Sequence, residues 1–283
     1  MGLIGGSLGL ALRKNAPRKY HITALGRNRT KLRIAKKLKA ADVVTIDTAT
    51  GVKDADIVVI CTPVNLIAAT VKKILPFVKP GAVITDAGSV KAPVLKEVKK
   101  VFLSSKRYTL NANFVGAHPM AGSEKYGIKA AKAGLYKGAA VVLTPEKNTS
   151  RKALNNVMTM WKDAGARILC MDPAAHDKIV ALVSHLPHVI AFNLCSALQK
   201  LSSKNHSAPK LAAGSFNDLT RVASSNPRDW AVICGANRTE LSKAIDSFIK
   251  ELVAVKLSLN NPSELEQRFT GSGTARRKLL HSV

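Results

Sequence analysis

The sequence contains few acidic residues and few aromatic residues. Only 18 Asp and Glu stand against 44 Lys and Arg in 283 residues, which gives a formal net charge of +26. Aromatic residues make up 5% of the chain, which argues against a platform on which single-stranded nucleic acid stacks. The basic residues are spread along the chain, and this favours a general property of the protein over a nucleic-acid footprint. Such a field also attracts anionic small molecules.

Paired cysteines, metal-ligand spacings and a secretory leader are lacking as well. Because the four cysteines are isolated, the sequence favours a reducing, cytoplasmic compartment. The first dozen residues are apolar, but positive charge follows them instead of preceding them, which is the wrong order for a signal peptide. No apolar run approaches the ~20 residues of a membrane span, so we expect no membrane partner. The spacing of the histidines predicts no metal site.

The chain opens inside a glycine-rich loop, MGLIGGSLG, with no strand before it. Such loops follow the pattern G-x-G-x-x-G after a buried strand and bring a helix N-terminus to a pyrophosphate. Gly2 and Gly5 match the second and third glycines, so the first glycine and its strand would lie upstream of Met1. We therefore expect a start that is trimmed or misassigned, and an empty central position in the sheet. The predicted cofactor loop comprises Gly2, Leu3, Ile4, Gly5 and Gly6.

Short apolar runs alternate with helical segments through the first part of the chain. This alternation predicts a Rossmann-type parallel sheet covered on both faces, with ligand loops at the carboxyl ends of the strands. Asp172 before Pro173 has the pattern of a helix N-cap, and long helical periodicity follows. We therefore predict an α/β domain over residues 1–172 and an all-helical domain over 173–283 that ends in a loosely held tail. The predicted strands are His21–Leu25, Val43–Thr45, Ile57–Cys61, Val83–Asp86, Phe114–Ala117, Ala140–Leu143 and Arg167–Met171.

The end of the second Rossmann strand usually carries an acidic residue that binds the adenosine ribose of NAD. The matching stretch here is ALGRNRT, which has no carboxylate. Arg27, Arg29 and Thr30, with Asn28 between them, could instead bind the 2′-phosphate of NADP; the alternative is a solvated, basic helix start. Thr62 and Pro63 end a buried strand and belong to the same predicted cofactor site. The cofactor is therefore NADP or NAD, with NADP favoured.

Histidines and one arginine lie in distinctive stretches of the chain. His118 lies in GAHPMAGSEKYG after a predicted strand, His185 and His188 lie in SHLPH, and Arg221 lies in GSFNDLTR. Taken singly, each has an ordinary structural explanation. Together with GLIGGSLGLAL, CTPV, TDAGSVK, LYKGAAVVLTP and HDKIVALVSHLPH in this order, they resemble the prephenate/arogenate dehydrogenase family.

The resemblance implies a Rossmann-type domain followed by an all-helical dimerisation domain, and hence a homodimer. It also implies the NAD(P)-dependent oxidative decarboxylation of prephenate to 4-hydroxyphenylpyruvate, or of arogenate to tyrosine, in tyrosine biosynthesis. The two substrates differ by a keto group and an amino group on the side chain, and nothing in the sequence distinguishes them.

The resemblance also implies roles for individual residues. His118 would accept the proton of the ring hydroxyl, and Ser89 in DAGSVK would orient His118. Arg221 would bind a substrate carboxylate. Simpler alternatives are an exposed acid for Glu124, helix packing for the SHLPH histidines, and burial in a dimer core for Trp230. The predicted substrate-binding residues are Arg221, His188, His185, Glu124 and Trp230.

Two other functions remain open at this point. One is a different NADP oxidoreductase with a Rossmann and a helical domain, such as a β-hydroxyacid or imine reductase relative. The other is a catalytically inactive, basic relative that binds nucleic acid, which the net charge of +26 suggests. The first would lack GAHPMAGSEKYG and SHLPH, and the retained histidines and arginine argue against the second. We therefore expect a small-molecule substrate and no specific nucleic-acid partner.

Overall fold

A computed structural model describes residues 1–105 and 114–280 of the chain. The chain divides into two compact units, Met1–Arg238 and the residues from Thr239 onward. The predicted boundary between residues 172 and 173 falls inside the first unit and stays a prediction. The described strands are β1 (Thr23–Leu25), β2 (Val43–Thr45), β3 (Ile57–Ile60), β4 (Val83–Asp86), β5 (Phe114–Pro119), β6 (Ala140–Thr144) and β7 (Arg167–Cys170).

These strands form two sheets, and a sheet with an empty central position, as the sequence predicts, also falls into two hydrogen-bonded parts. One sheet is β1–β2, and the other has the order β3-β4-β5-β6-β7. In the described part of the chain, β3 is therefore an edge strand. The prediction of parallel pairing holds except between β5 and β6, which are antiparallel. A parallel pair needs a crossover connection, but the segment between these two strands contains only a short 3-10 turn, Ile128–Ala130.

The helices follow the predicted apolar periodicity closely. As predicted, Asp172 is an N-cap, since its carboxylate accepts hydrogen bonds from the backbone N–H groups of Ala174 and Ala175. A π-helical turn, Ala181–His185, joins the seventh and eighth helices. Within this helical region, Ala208–Leu211 forms a 3-10 turn. The described helices are α1 (Leu3–Asn15), α2 (Arg29–Lys37), α3 (Thr48–Val52), α4 (Ile67–Ile74), α5 (Ala92–Leu103), α6 (Arg151–Asp163), α7 (Pro173–Val180), α8 (Leu186–Ser202), α9 (Gly214–Thr220), α10 (Pro227–Ala236), α11 (Arg238–Leu257) and α12 (Pro262–Leu280).

The core of the first unit lies on the two faces of the five-stranded sheet. Neighbouring strand residues point to opposite faces, and Val115 accordingly packs with α1 and α6 while Phe114 packs with α4 and α5. Val232 and Ile233 of α10 pack against the second of these clusters. This contact explains why a helix beyond residue 172 belongs to the same compact unit as the sheet.

One expectation about the helical region is wrong. The end of the chain, which the sequence predicts to be a loosely held tail, contains α12, because Pro262 begins a helix whose first turn carries Glu264 and whose last turn carries basic residues. One helix, Pro173–Ser202, is also long and apolar enough by length and composition to cross a membrane, with a mean hydropathy of 1.6 over its most apolar window. Scattered polar residues hide this length when only uninterrupted apolar runs are considered.

Candidate active site

His118 lies in β5 at the carboxyl end of the neighbouring parallel strand β4, where a Rossmann-type sheet carries its ligand loops. Its side chain is buried, and its Nδ1 atom lies 2.8 Å from Nε2 of His176 in α7. Burial is the main reason that the pKa of His118 falls well below 6.5, and the nearby side chains of His176, Lys91 and His185 lower it further. His118 is therefore a neutral imidazole at neutral pH, with Nδ1 engaged and Nε2 left for a ligand.

His176 is in turn held by its neighbour in the chain, Asp177. The Nδ1 atom of His176 lies 2.7 Å from Oδ1 of Asp177. The Asp177 carboxylate also accepts hydrogen bonds from the backbone N–H groups of Lys91 and Ala92, at 2.7 and 2.8 Å. These two groups lie at the start of α5, so Asp177 occupies the N-terminus of a helix other than its own, where a negative charge is stabilised.

A buried ion pair between Lys91 and Asp86 lies directly behind His118. Both side chains are fully buried and in hydrogen-bond contact. Lys91 Nζ also donates to the carbonyl oxygen of Ala117 at 2.8 Å, and Asp86 Oδ1 accepts from the Ala117 N–H at 3.0 Å. The pair therefore hydrogen-bonds to both the N–H and the carbonyl oxygen of Ala117, the residue before His118.

The π-helical turn between α7 and α8 carries His185 at its end. Asn237 donates from Nδ2 both to the Asp177 carbonyl oxygen and to His185 Nδ1, at 2.8 and 3.2 Å. Nδ1 of His185 is thus the acceptor, and its Nε2 carries the proton. That Nε2 is buried and has no hydrogen-bond partner among the residues that the structure describes. Burial lowers the pKa of His185 to about 4, so the ring is neutral and presents an unused donor.

The ring of Trp230 contacts both histidines of the SHLPH stretch, His185 and His188. Its ring stacks on His188 with centroids 3.5 Å apart, and it meets the edge of His185 at 6.0 Å. The stacked pair lines an apolar cavity of about 230 Å³, together with Phe192, Cys234 and neighbouring residues of α8 and α10. Trp230 is therefore part of the wall of a cavity within its own chain.

Arg221 and Glu124 lie together at the exposed end of this group. Arg221 Nη1 is 3.3 Å from Glu124 Oε2, and about two thirds of the Arg221 side chain is exposed. Arg221 also lies close enough to His188 to lower the pKa of that histidine. The predicted substrate residues thus form a series: Trp230 contacts His185 and His188, and Arg221 contacts Glu124. His118 and His185, and likewise His188 and Arg221, are near enough to interact electrostatically.

Ser89 is the predicted residue that does not behave as expected. It is half-buried in the loop between β4 and α5, but within the described ranges it forms no hydrogen bond with His118. Nδ1 of His118 points instead at His176. The side chain that contacts His118 in this structure is thus His176, and the catalytic role of Ser89 stays a prediction.

Comparison with known proteins agrees with this geometry. Residues 8–170 match the family model described as the nucleotide-binding domain of prephenate dehydrogenase, and residues 172–269 match the model of its dimerization domain. The chain belongs to the prephenate dehydrogenase family. It is 33% identical to a cyclohexadienyl dehydrogenase of Zymomonas mobilis over 99% of this chain and 94% of that protein.

Two solved structures of the prephenate dehydrogenase family have the same fold. A prephenate dehydrogenase of Aquifex aeolicus, in complex with hydroxyphenyl propionate and NAD+, has a TM-score of 0.89 and 31% identity, covering 98% of this chain and 95% of its own. The arogenate dehydrogenase of Synechocystis has a TM-score of 0.80 and 28% identity, covering 98% of this chain and 97% of its own.

The nucleotide-binding domain of this family member has features that fit a dinucleotide. Gly2 begins α1 without a side-chain cap, which leaves the first-turn N–H groups to a ligand. Thr62 Oγ1, just after β3, is buried without a hydrogen-bond partner in the described part of the chain. A Cβ atom on Gly9 would lie 2.0 Å from the Ala40 carbonyl oxygen, so this glycine allows close packing of α1.

The predicted 2′-phosphate residues divide into two groups. Arg27, Arg29 and Thr30 are exposed, and across residues 1–105 and 114–280 neither guanidinium forms an ion pair. Asn28, by contrast, caps α2 by accepting a hydrogen bond from the Lys31 N–H at 2.9 Å. Asn28 therefore has a structural role in addition to its predicted contact with the cofactor.

Sequence reasoning missed the residues that hold His118 in place. His176 and Asp177 lie in HDKIVALVSHLPH, and Asp86 and Lys91 lie in TDAGSVK. Each is a polar side chain inside an otherwise apolar stretch that meets a predicted strand end. That mismatch between polarity and predicted burial is the signal that could have identified them.

Proposed function

We propose that this chain catalyses the NAD(P)-dependent oxidative decarboxylation of prephenate to 4-hydroxyphenylpyruvate, or of arogenate to tyrosine, in tyrosine biosynthesis. The observation that carries the proposal is the buried, neutral His118, whose Nδ1 is fixed by His176 and whose Nε2 remains available. A base of this kind suits the loss of a proton from a ring hydroxyl while the carbon that bears it loses hydride.

The reaction places separate demands on the protein. A nicotinamide held at the predicted cofactor site would supply the hydride acceptor, while the ring carboxylate would leave as carbon dioxide and the ring would become aromatic. His118 accepts the hydroxyl proton at Nε2 and thereby favours hydride loss from the same carbon. Ser89, half-buried in the loop between β4 and α5, is proposed to hydrogen-bond to the same hydroxyl.

The series of side chains from His185 to Arg221 is proposed to hold the substrate. Arg221 offers a planar guanidinium that binds a carboxylate through two parallel hydrogen bonds. The buried Nε2–H of His185, which has no partner in the described residues, would donate to a second substrate oxygen. Trp230 and His188 supply a flat apolar wall against the ring, and Glu124 limits the freedom of Arg221 at the entrance.

We assign the cofactor to the loop at the start of α1 and to the ends of β1 and β3. Gly2, Leu3, Ile4, Gly5 and Gly6 would face the pyrophosphate, and Thr62 and Pro63 would lie beside the nicotinamide half. The guanidinium groups of Arg27 and Arg29, which form no ion pair with any described residue, favour NADP over NAD together with the Thr30 hydroxyl, because they match a 2′-phosphate.

The assembly and location are part of the same proposal. Ile179, Leu182 and Val183 expose between 48% and 59% of their surface, and they lie within the residues that match the dimerization domain. Apolar exposure at this position supports a homodimer through the helical region. The biosynthetic reaction supports a cytoplasmic location.

The test is the appearance of reduced nicotinamide, with prephenate and arogenate each crossed with NAD and NADP. Turnover with one pair identifies the reaction, the substrate and the cofactor together. His118→Asn is the matched variant, because its amide can still donate to His176 but has no basic Nε2. We expect kcat to fall at least ~100-fold with KM little changed. A folded wild-type protein that is silent with all four pairs would overturn the proposal.

A further inference from the structure

We propose that the hydroxyl proton does not remain on His118 but is passed through it, so that the positive charge of the reaction forms on His176 beside Asp177. This inference rests on the function proposed above and names His176 and Asp177 as positioning residues behind His118. The structure supports it through the direction of each hydrogen bond in the series.

The contacts of Asp177 determine which atom donates in each of these hydrogen bonds. Two of its contacts are backbone N–H groups, those of Lys91 and Ala92, which can only donate. Asp177 therefore acts as an acceptor at the start of α5, as an ionised carboxylate does. Its third contact, with Nδ1 of His176, is consequently also a donor contact, and His176 carries its proton on Nδ1.

The tautomer of His118 follows from that of His176. A neutral imidazole protonated on Nδ1 is an acceptor at Nε2, so Nε2 of His176 accepts the hydrogen bond that it shares with His118 at 2.8 Å. Nδ1 of His118 is therefore the donor, and its Nε2 is unprotonated. Each ring is thus poised to receive a proton on one side and release one on the other.

The proposed step conserves protons and electrons. The C–H bond at the hydroxyl carbon breaks, and its hydride with two electrons goes to the nicotinamide acceptor named above. The O–H proton goes to Nε2 of His118, and the Nδ1 proton of His118 goes to Nε2 of His176. His118 ends neutral as its other tautomer, and His176 ends as an imidazolium next to the Asp177 carboxylate. The carboxylate leaves as carbon dioxide, and its bonding pair makes the ring aromatic and leaves a phenolate oxygen. The phenolate takes the proton back from His176 through His118, which gives the hydroxyl of the product and restores both tautomers.

The charged surroundings favour His176 over His118 as the final site of the proton. His118 faces Lys91 of the buried Lys91–Asp86 pair and the neutral ring of His185. His176 instead lies 2.7 Å from the Asp177 carboxylate. An imidazolium on His176 thus gains a direct ionic partner, whereas one on His118 would be buried near an ammonium group.

The proton positions can be tested without any turnover. We would label the histidine side chains with 15N and assign the imidazole resonances of the substrate-free protein by comparison with His118→Asn and His176→Gln. We expect protonation on Nδ1 and not on Nε2 for both His118 and His176. Protonation of His118 on Nε2 would overturn the proposal, whatever the activity of the protein.

Transfer itself can be tested with His176→Gln, whose amide oxygen can still accept from His118 but cannot take up a proton. We expect kcat to fall 10- to 100-fold with KM changing less than ~3-fold. The rate is then measured in mixtures of light and heavy water, with substrate deuterated at the hydroxyl carbon. If two protons move in the same step, kcat of the wild type should depend on the deuterium fraction of the solvent along a curve. The dependence for His176→Gln should be linear.

The exposed His206 provides the control, because His206→Gln removes an imidazole far along the chain and should keep the wild-type rate and curvature. A linear dependence in the wild type, or unchanged curvature in His176→Gln, would overturn the transfer. If no substrate is turned over, the proposed function fails, and the imidazole resonances still decide the proton positions.

Discussion

Lys91 Nζ lies 2.8 Å from the carbonyl oxygen of Ala117, the residue immediately before His118. On this side of β5 the backbone ladder to β4 ends at the pair Thr85–Val115. Beyond that point the side chains of Asp86 and Lys91 bond the polar groups of Ala117. The backbone just before His118 is therefore fixed on its β4 side by a buried ion pair, so the same two residues stabilise the fold and support the position of His118.

We expect Lys91→Met to destabilise the protein strongly. Removing one member of a buried pair leaves the other charge uncompensated, which costs about 3–5 kcal/mol. Urea denaturation followed by circular dichroism measures the change in the free energy of unfolding. The companion variant is Lys91→Met/Asp86→Asn, which removes both charges and should recover part of the loss. Equal destabilisation of the single and double variants would show that the charge on Asp86 is not the cause.

Stability should also depend on pH through the buried histidines. The pKa of His118 lies well below 6.5 in the folded protein, and that of His185 is about 4. The unfolded chain therefore takes up these protons first, and stability falls as the pH drops below 6.5 toward 4. Each such histidine contributes a slope of up to about 1.4 kcal/mol per pH unit. Chemical denaturation at a series of pH values measures it.

The variant His185→Gln separates this effect from the titration of carboxylates. It removes one buried imidazole whose pKa is about 4, so the slope between pH 6.5 and 4 should become shallower. The absolute stability of the variant does not affect this comparison, because only the slope is read. A slope identical to that of the wild type would contradict the burial of His185 as a neutral ring.

The sequence predicted most of the elements because their patterns are local. The strands Val43–Thr45 and Val83–Asp86 have the predicted bounds, since β-branched runs between helical segments determine them without tertiary context. The antiparallel pairing of β6 was missed because pairing direction depends on the connection and not on the strand itself. Helix α12 was missed because a polar segment with glycine and serine has the composition of a tail.

In the candidate site, too, local sequence patterns do not predict contacts between residues that are far apart in the chain. The resemblance to the family identified His118, His185, His188 and Arg221 from short stretches of sequence. It could not identify Asp177, which is 86 residues from the N–H group of Lys91 that it binds. Contacts of this kind arise only when β4, β5 and α7 meet, so polar residues within apolar stretches are their only local sign.

Cofactor choice is predicted to depend on Arg27 and Arg29. Both are exposed at the start of α2, and charge-assisted hydrogen bonds to a phosphate contribute about 1.5–3 kcal/mol each. Replacing both by glutamine should raise the KM for NADP at least ~10-fold and leave the KM for NAD within about twofold. Arg33→Gln removes the same charge from an exposed position further along α2 and should affect neither. An equal rise for both cofactors would indicate a general electrostatic effect.

Arg221 is predicted to act on substrate binding and not on stability. Its guanidinium is largely exposed and 3.3 Å from Glu124, so Arg221→Lys should change the free energy of unfolding by less than ~0.5 kcal/mol. Lysine cannot form the paired hydrogen bonds of the guanidinium with a carboxylate. Losing a hydrogen bond to a charged group costs about 1.5–3 kcal/mol, so KM should rise roughly 10- to 100-fold with kcat nearly unchanged.

Glu124→Gln tests whether the acid acts through this arginine. Without its charge, Glu124 no longer limits the freedom of Arg221, so KM should rise in the wild-type background and change little beside Arg221→Lys. Steady-state kinetics of the two single variants and the double variant measure this coupling. Effects that add independently would separate Glu124 from Arg221. A fall in kcat with unchanged KM for Arg221→Lys would instead place the guanidinium at the reacting centre.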